Sequence, residues 1–103
     1  MKQSTQDLAE NKVLILYLLN KLPDGIKSDN LFKIVSSANG INYFYFQELL
    51  TDLIDTNLVG SFTRDEDIFI KITSEGENAL SLTKSLLPGI LKLKADNVFK
   101  DEI

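Results

Sequence analysis

The 103-residue sequence predicts an α+β fold, mostly helical, of the winged helix-turn-helix class. Three amphipathic helices come first, two β-rich runs split by a short turn follow, and one or two further helices end the chain. A three-helix core with a two-stranded β-wing is the architecture in which the third helix can enter a DNA groove. We expect residues 1–87 to form the winged-helix domain and residues 88–103 to form a C-terminal helix that serves as a dimerisation element.

The first three helices are predicted from apolar spacing and from the residues at their ends. The first covers residues 7–21 and ends before Pro23-Asp24-Gly25, which are turn residues. The second begins with Ser28 as its N-cap and closes at Asn39-Gly40. Asn42 suits the N-cap of the third, residues 43–56. Its apolar residues recur at helical spacing on one face: Phe46, Leu49, Leu50, Leu53 and Ile54.

The second half of the chain predicts a β-hairpin followed by helices. Residues 58–63 and 68–73 are β-rich, and the turn Arg64-Asp65-Glu66-Asp67 separates them. Apolar residues alternate along the second run, which is typical of a half-buried strand. Thr73 is predicted to cap the fourth helix, with Ser74 and Glu77 as a second capping register. Pro88-Gly89 breaks that helix and starts a last one, which reaches about residue 99.

The composition argues against several functions. The chain has no cysteine and no histidine, which removes disulfides, thiolate chemistry, the usual zinc sites and imidazole bases. We therefore predict no enzyme activity, no metal and no cofactor. The net charge of −4 makes nucleic-acid binding depend on a local basic patch. The longest apolar run, residues 13–19, is shorter than the ~20 residues that span a bilayer. Residues 1–6 are polar, so we predict a cytoplasmic protein without a membrane partner.

Several segments together resemble a known family. They are Leu8-Ala9-Glu10-Asn11-Lys12 leading into Ile15-Leu16-Tyr17-Leu18-Leu19, Asn42-Tyr43-Phe44 before Gln47 and Leu50, and Asn57-Leu58-Val59 followed by Ile72-Thr73-Ser74-Glu75-Gly76-Glu77. The sequence is similar over nearly its whole length to a bacterial winged-helix family described as a domain of unknown function, near the PadR-like and MarR-like transcriptional regulators. The resemblance implies a winged-helix fold and a role in transcription, and it supplies no ligand.

The candidate DNA contacts lie on the third helix and the wing. They are Asn42, Tyr43, Tyr45, Gln47, Thr51, Arg64 and Lys71. Asparagine and glutamine can read adenine, tyrosine hydroxyls and helix-terminal amides bind phosphates, and an arginine at a wing can enter the minor groove. The alternative is that Asn42 is only a cap, Tyr43 packs into the core, and the acidic wing tip is a solvated turn.

The charge of the third helix leaves two functions open. Glu48, Asp52 and Asp55 would repel phosphates, and no lysine or arginine occurs between Lys33 and Arg64. The first interpretation is a transcriptional regulator that binds double-stranded DNA. The alternative is a protein–protein interaction module that binds no DNA.

The positions of the lysines discriminate between these two functions. Their convergence around residues 42–47 would favour DNA, and a surplus of acids there would favour a protein partner. The lysines concerned are Lys12, Lys27, Lys33 and Lys71. Neither a DNA sequence nor a small-molecule effector is identified by the sequence.

Two apolar stripes that are expected to point away from the core predict a homodimer. Their residues are Val13, Leu14, Tyr17, Leu87, Ile90, Leu91 and Val98. Two protomers could exchange their first and last helices around a two-fold axis and so cover both stripes. The alternative is that the last helix folds back onto the first helix of the same chain, and the Pro88-Gly89 break permits both arrangements.

Overall fold

The described part of the protein, residues 5–102 of a computed structural model, confirms the winged-helix prediction. Side chains are described for residues 8–100, so the polar segment used above to predict a cytoplasmic protein lies outside the described side chains. The elements in chain order are α1 (Thr5–Asn20), β1 (Ile26–Lys27), α2 (Ser28–Asn39), α3 (Tyr43–Asp55), β2 (Val59–Arg64), β3 (Asp67–Ile72), α4 (Ser74–Thr83), a 3₁₀ turn (Lys84–Leu86) and α5 (Gly89–Glu102).

The wing is part of a three-stranded antiparallel sheet with the order β1-β3-β2. β2 and β3 pair along their whole length, from Val59 opposite Ile72 to Arg64 opposite Asp67. β1 adds a third strand that the sequence did not predict, with Ile26 opposite Ile70. A strand of two residues is too short to show the alternation by which strands are recognised.

The wing tip is a tight two-residue turn. Asp65 and Glu66 both have positive φ, 53° and 72°, as expected for the turn type that matches the twist of a hairpin. Such turns favour Asn-Gly or Asp-Gly, because a residue with a Cβ is strained in the left-handed region. The predicted turn at residues 64–67 is therefore confirmed, with Glu66 where glycine is usual.

The predicted apolar face of α3 lies in the core. Its residues Phe46, Leu49, Leu50 and Leu53 are buried together with Ile15, Leu19, Leu31 and Ile70 from α1, α2 and β3. The apolar face of α3 rests against α1 and α2, and β3 contacts α1 and α2 as well. Only the last turn of the α3 face, at Ile54, reaches the surface.

The Thr73–Gly76 segment fixes α4 against the connection between α3 and β2. The Thr73 hydroxyl accepts a hydrogen bond from the Gly76 amide at 2.9 Å and donates to the Asn57 carbonyl at 2.7 Å, so Thr73 is the cap. A Cβ on Gly76 would lie 2.0 Å from the Leu58 carbonyl oxygen. The cap and this close packing of the backbone explain why threonine and glycine stand at positions 73 and 76 of the segment that resembles the family.

The expectation that Val13 and Leu14 point away from the core is wrong. Both are buried within one chain, as are Leu87 and Leu91, because α4, the 3₁₀ turn and α5 all pack on α1. Tyr17 and Val98 are half-buried in the same contact. Of the residues predicted for a dimer interface, Ile90 is the one that is mostly exposed, at 68%. The last helix thus folds back onto its own chain, mainly against α2 and also against α1.

A polar cluster, here named the α5 anchor, joins α5 to α1 and consists of Tyr17, Lys21 and Asp96. The Tyr17 hydroxyl donates to Asp96 Oδ1 at 2.9 Å, and Lys21 Nζ lies 3.2 Å from the same oxygen. Burial and the hydrogen bond to Asp96 raise the pKa of Tyr17. Burial acts to raise the pKa of Asp96, but the hydrogen bonds from Tyr17 and Lys21 and the charge of Lys21 outweigh it and lower that pKa. Burial likewise acts against the charge of Lys21, yet its pKa is raised by Asp96 and Tyr17.

Candidate interaction surface on the third helix and wing

The N-terminus of α3 is held by its cap and by a buried amide. Asn42 Oδ1 accepts a hydrogen bond from the Tyr45 amide at 2.8 Å, which gives Asn42 the capping role. The Tyr45 hydroxyl accepts from Asn11 Nδ2 at 3.3 Å, and Asn39 donates to Asn11 Oδ1 at 2.6 Å. This network fastens the start of α3 to α1 and α2 and directs the Tyr45 hydroxyl towards α1.

Tyr43 does not pack into the core, so that alternative is wrong. Its side chain is 48% exposed, and its ring meets the ring of Phe32 edge-on with centroids 5.3 Å apart. Phe44, which follows, is 81% exposed. The first turn of α3 therefore presents two aromatic side chains to solvent.

Of the other predicted contact residues on α3, Gln47 is half-buried and Thr51 is exposed. Both line a shallow depression with Phe44, Glu48 and Asp52. The solvent side of α3 is thus mixed aromatic, neutral polar and acidic, as the sequence predicted.

The two wing cations that were predicted to contact DNA lie on the outer face of the hairpin. The Arg64 guanidinium is 5.3 Å from the Phe62 ring centroid and 5.1 Å from that of Phe69, and the two rings stack at 5.5 Å. Lys71 follows Phe69 by two residues and therefore shares this outer face. Ile68, Ile70 and Ile72 occupy the inner face, which turns to the core. Arg64 and Lys71 are therefore not brought together with Asn42 and Gln47.

The lysines of α1 and β1 are held by acids of the same surface. Lys12 Nζ lies 3.5 Å from Asp52 on α3, and Lys27 Nζ lies 3.0 Å from Asp67 at the wing. Glu48, Asp55 and Glu66 are exposed and form no ion pair within the described residues. α3 itself carries three exposed acids, Glu48, Asp52 and Asp55, and no lysine or arginine, the arrangement that favours the alternative function.

A groove of about 500 Å³ separates α3 from the inner face of the wing. We call it the α3–wing groove. Its lining residues are Lys27, Ser28, Asp29, Tyr43, Gln47, Leu50, Ile54, Ser61, Glu66, Asp67, Ile68 and Ile70. The sequence did not predict Ile54 and Ile68 as surface residues. The available signal was that each lies at one end of its apolar stripe, Ile54 as the last apolar residue of α3 and Ile68 as the first of β3.

Within residues 5–102 as described, no three His, Cys, Asp or Glu side chains are grouped so that they could hold a metal ion. The helices in this part of the chain are too short or too polar to cross a membrane.

Comparison with known proteins identifies the family. A family model described as "Domain of unknown function (DUF4364)" matches residues 11–103, and no curated protein matches the sequence. Among solved structures, the crystal structure of SSV1 F-93 is similar, with a TM-score of 0.63 and 17% identity over 73% of this chain and 82% of that chain. At this identity the likeness supports the fold alone. The chain belongs to the DUF4364 family of domains of unknown function.

Proposed function

We propose that this protein is a winged-helix interaction module that binds another protein through α3 and the wing. The observation that carries the proposal is the pairing of Lys12 with Asp52 and of Lys27 with Asp67. DNA affinity comes largely from cations that replace the counterions of phosphates. Here these two lysines already neutralise acids, and further acids beside them would repel a phosphate backbone.

Exposed apolar residues of α3 and the wing support a protein partner. Ile54 and Ile68 stand at the edges of the α3–wing groove, and Phe44 lines a separate depression on α3. Exposed apolar side chains are typical of protein interaction sites, and aromatic anchors dominate many of them.

Site-specific photocrosslinking in cells tests the proposal. A photoreactive phenylalanine replaces Phe44 in the full 103-residue chain, and the matched control carries it at Leu82 on α4, which is equally exposed at 83%. We expect discrete protease-sensitive adducts at position 44 that are absent at position 82. Nuclease-sensitive adducts at position 44, or the same adducts at both positions, would overturn the proposal.

The second candidate is a DNA-binding transcriptional regulator, which the winged-helix fold and the resemblance to PadR-like and MarR-like regulators favour. The supporting observation is that the first turn of α3 is uncovered, with Tyr43 and Gln47 accessible. Such binding would be modest with a shallow salt dependence, because few cations are available.

An electrophoretic shift with the duplex upstream of its own gene, over a salt series, tests this candidate. Gln47→Ala would alter sequence preference, whereas Arg64→Ala would weaken binding about equally on all sequences. The absence of any shift at low salt would exclude it.

A homodimer belongs with the second candidate, because two copies of α3 could then read half-sites roughly 34 Å apart. Ile90 is the exposed residue of the predicted interface, and Leu86 and Leu93 near it are exposed as well. Light scattering at micromolar concentration tests the dimer: Ile90→Asp would reduce a dimer mass to a monomer mass. A monomer mass for the unchanged chain would contradict it.

A further inference from the structure

Both walls of the α3–wing groove carry exposed apolar side chains among polar ones. Leu50 and Ile70 form its buried floor. Ile68 on the wing is 58% exposed and Ile54 on α3 is 37% exposed, with Tyr43 at the other end of the helix wall. Isoleucines exposed to this degree on two facing walls leave apolar surface in water that a partner could bury.

The groove exists because the apolar stripe of β3 continues beyond the core. Ile72, Ile70 and Ile68 alternate along the inner face, and the first two are buried whereas Ile68 is not. On α3 the facing residues are Tyr43, Gln47, Leu50 and Ile54, spaced by four, three and four positions. That wall is roughly 16 Å long, from eleven steps of about 1.5 Å each.

The rim of the groove is acidic. Asp29 lies at the start of α2, and Glu66 and Asp67 lie at the wing tip. Lys27 is the one cation among the lining residues named above, and Asp67 pairs with it at 3.0 Å. Asp29 and Glu66 form no ion pair with the described residues, so they can attract a cationic ligand.

We propose that the α3–wing groove binds a cationic amphipathic helix of a partner protein, with apolar side chains between Ile54 and Ile68 and basic side chains near Asp29 and Glu66. The inference rests on the proposed function and adds the chemistry of the partner. Apolar residues at i, i+3, i+4 and i+7 extend about 10 Å along a helix, which fits within the 16 Å wall.

A helix fits this groove better than an extended strand. A strand binds by pairing with free backbone groups at a sheet edge. β3 lies between β2 and β1 in the sheet, so the groove is walled by side chains of α3 and the inner sheet face. A ligand that makes its contacts through side chains, on one face and at helical spacing, matches such a surface.

Fluorescence anisotropy with the full chain tests the proposal. The probe is a labelled 14-residue peptide with leucines at i, i+3, i+4, i+7, i+8 and i+11 and lysines elsewhere. One control peptide has glutamates in place of the lysines, and another has the same composition in shuffled order. We expect the probe to bind in a one-to-one complex at least about tenfold more tightly than either control. Equal binding of the shuffled peptide would show charge attraction alone and would overturn the proposal.

Matched variants locate the binding site. Ile68→Ser and Ile54→Ser each remove an exposed apolar side chain from a wall of the groove and are expected to weaken the affinity for the probe about tenfold. The control Leu82→Ser removes an equally apolar exposed side chain from α4 and should leave that affinity unchanged. Glu66→Lys should weaken binding and reduce its salt dependence. Equal affinity of the Ile68→Ser and Leu82→Ser proteins would overturn the inference.

The two proposals fail in different ways. Protein adducts at position 44 that persist while the probe fails to bind would leave the proposed function standing and remove the cationic helix as its partner. A chain whose mass by light scattering is twice that of a monomer, and which Ile68→Ser dissociates, would assign the groove to a second copy and overturn the inference.

Discussion

The contact of α1 with α5 and the α3–wing groove are built from similar parts with opposite outcomes. Each places apolar side chains beside an acid that holds a lysine, Asp96 with Lys21 in one and Asp67 with Lys27 in the other. At the first, α4, the 3₁₀ turn and α5 cover the apolar residues of α1, and Leu14 is fully buried. At the second, no described segment covers Ile68.

An apolar stripe in the sequence indicates that another segment or another chain must bury it. The stripe does not identify which of the two does so. The apolar stripe on α1 was predicted to be covered by a second protomer in a homodimer. In the structure the same chain covers it. The stripes of α3 and β3 were assigned to the core, and their ends remain in solvent. Local periodicity identifies an apolar stripe in each region but not the segment that covers it, so only the path of the chain separates them.

The largest expected effect distinguishes a covered apolar residue from an uncovered one. Leu14→Ala should lower the free energy of unfolding by about 2–5 kcal/mol, because it opens a cavity in a closed core. Ile68→Ala is the matched control and should change it by well under about 1 kcal/mol, since the side chain is already mostly in water. Denaturant unfolding measures both, and equal losses would contradict the assignment of the two regions.

The next largest change in unfolding free energy is expected at the α5 anchor. Tyr17→Phe removes the hydrogen bond to Asp96 and should cost about 0.5–1.5 kcal/mol of unfolding free energy. Tyr43→Phe removes the hydroxyl of a half-exposed ring that makes no hydrogen bond within the described residues, so its cost should be near zero. Thermal unfolding of the two proteins would refute the role of the anchor if their midpoints fell together.

The anchor also predicts how stability varies with acid. The pKa of Asp96 is lower in the folded protein, so its contribution is present above the ordinary aspartate pKa of about 3.9 and is lost as pH falls through the lowered value. The gap in stability between the unchanged chain and Asp96→Asn should therefore narrow as pH falls from about 5 to about 2. A difference in stability that stays constant over this pH range would contradict the lowered pKa of Asp96 in the folded protein.

At alkaline pH the α5 anchor is expected to lose stability as pH rises, the opposite of its behaviour in acid. The pKa values of Tyr17 and Lys21 are raised in the folded protein, so their contributions are present below the ordinary values near 10 and are lost as pH rises through the raised values. Unfolding midpoints of the unchanged chain and Tyr17→Phe should converge above that range. Parallel curves there would count against the role of the phenol proton.

The smallest expected effect concerns the wing tip. Glu66→Gly places glycine at a φ of 72° and should raise the free energy of unfolding by up to about 1 kcal/mol. Leu82→Gly, at an exposed position of α4 with ordinary helical geometry, is the contrasting control and should lower it by about 1 kcal/mol. Chemical denaturation that showed Glu66→Gly to be destabilising would contradict the turn geometry.

Most of the fold followed from the sequence because its signals are local. The single apolar face around Leu50, the Asn42 cap and the Thr73 cap each depend on residues within a few positions, and the structure confirms them. β1 was not predicted because two residues are too few to show a period. The burial of Val13 was not predicted because it depends on where α4, the 3₁₀ turn and α5 pack along α1.

The candidate site was less predictable, since its character depends on which charges meet across elements. The sequence showed the acids of α3, but it could not show that Lys12 would reach Asp52 or that Lys27 would reach Asp67. Nor could it show that Arg64 would stack on Phe62 and Phe69, away from α3. Each of these contacts joins residues whose meeting is set by the tertiary path.

The proposed function requires that the charges of α3 disfavour DNA while its exposed side chains are open to a protein partner. The test measures duplex binding by anisotropy from about 20 to about 200 mM salt. It compares the unchanged chain with the triple variant Glu48→Gln, Asp52→Asn, Asp55→Asn. For binding through phosphates, the logarithm of the binding constant falls with the logarithm of the salt concentration, with a slope of about −0.9 per phosphate contact. We expect no measurable binding by the unchanged chain and a gain in the variant, in which Lys12 is also released from Asp52. Tight binding by the unchanged chain, with a slope equal to several phosphate contacts, would contradict it.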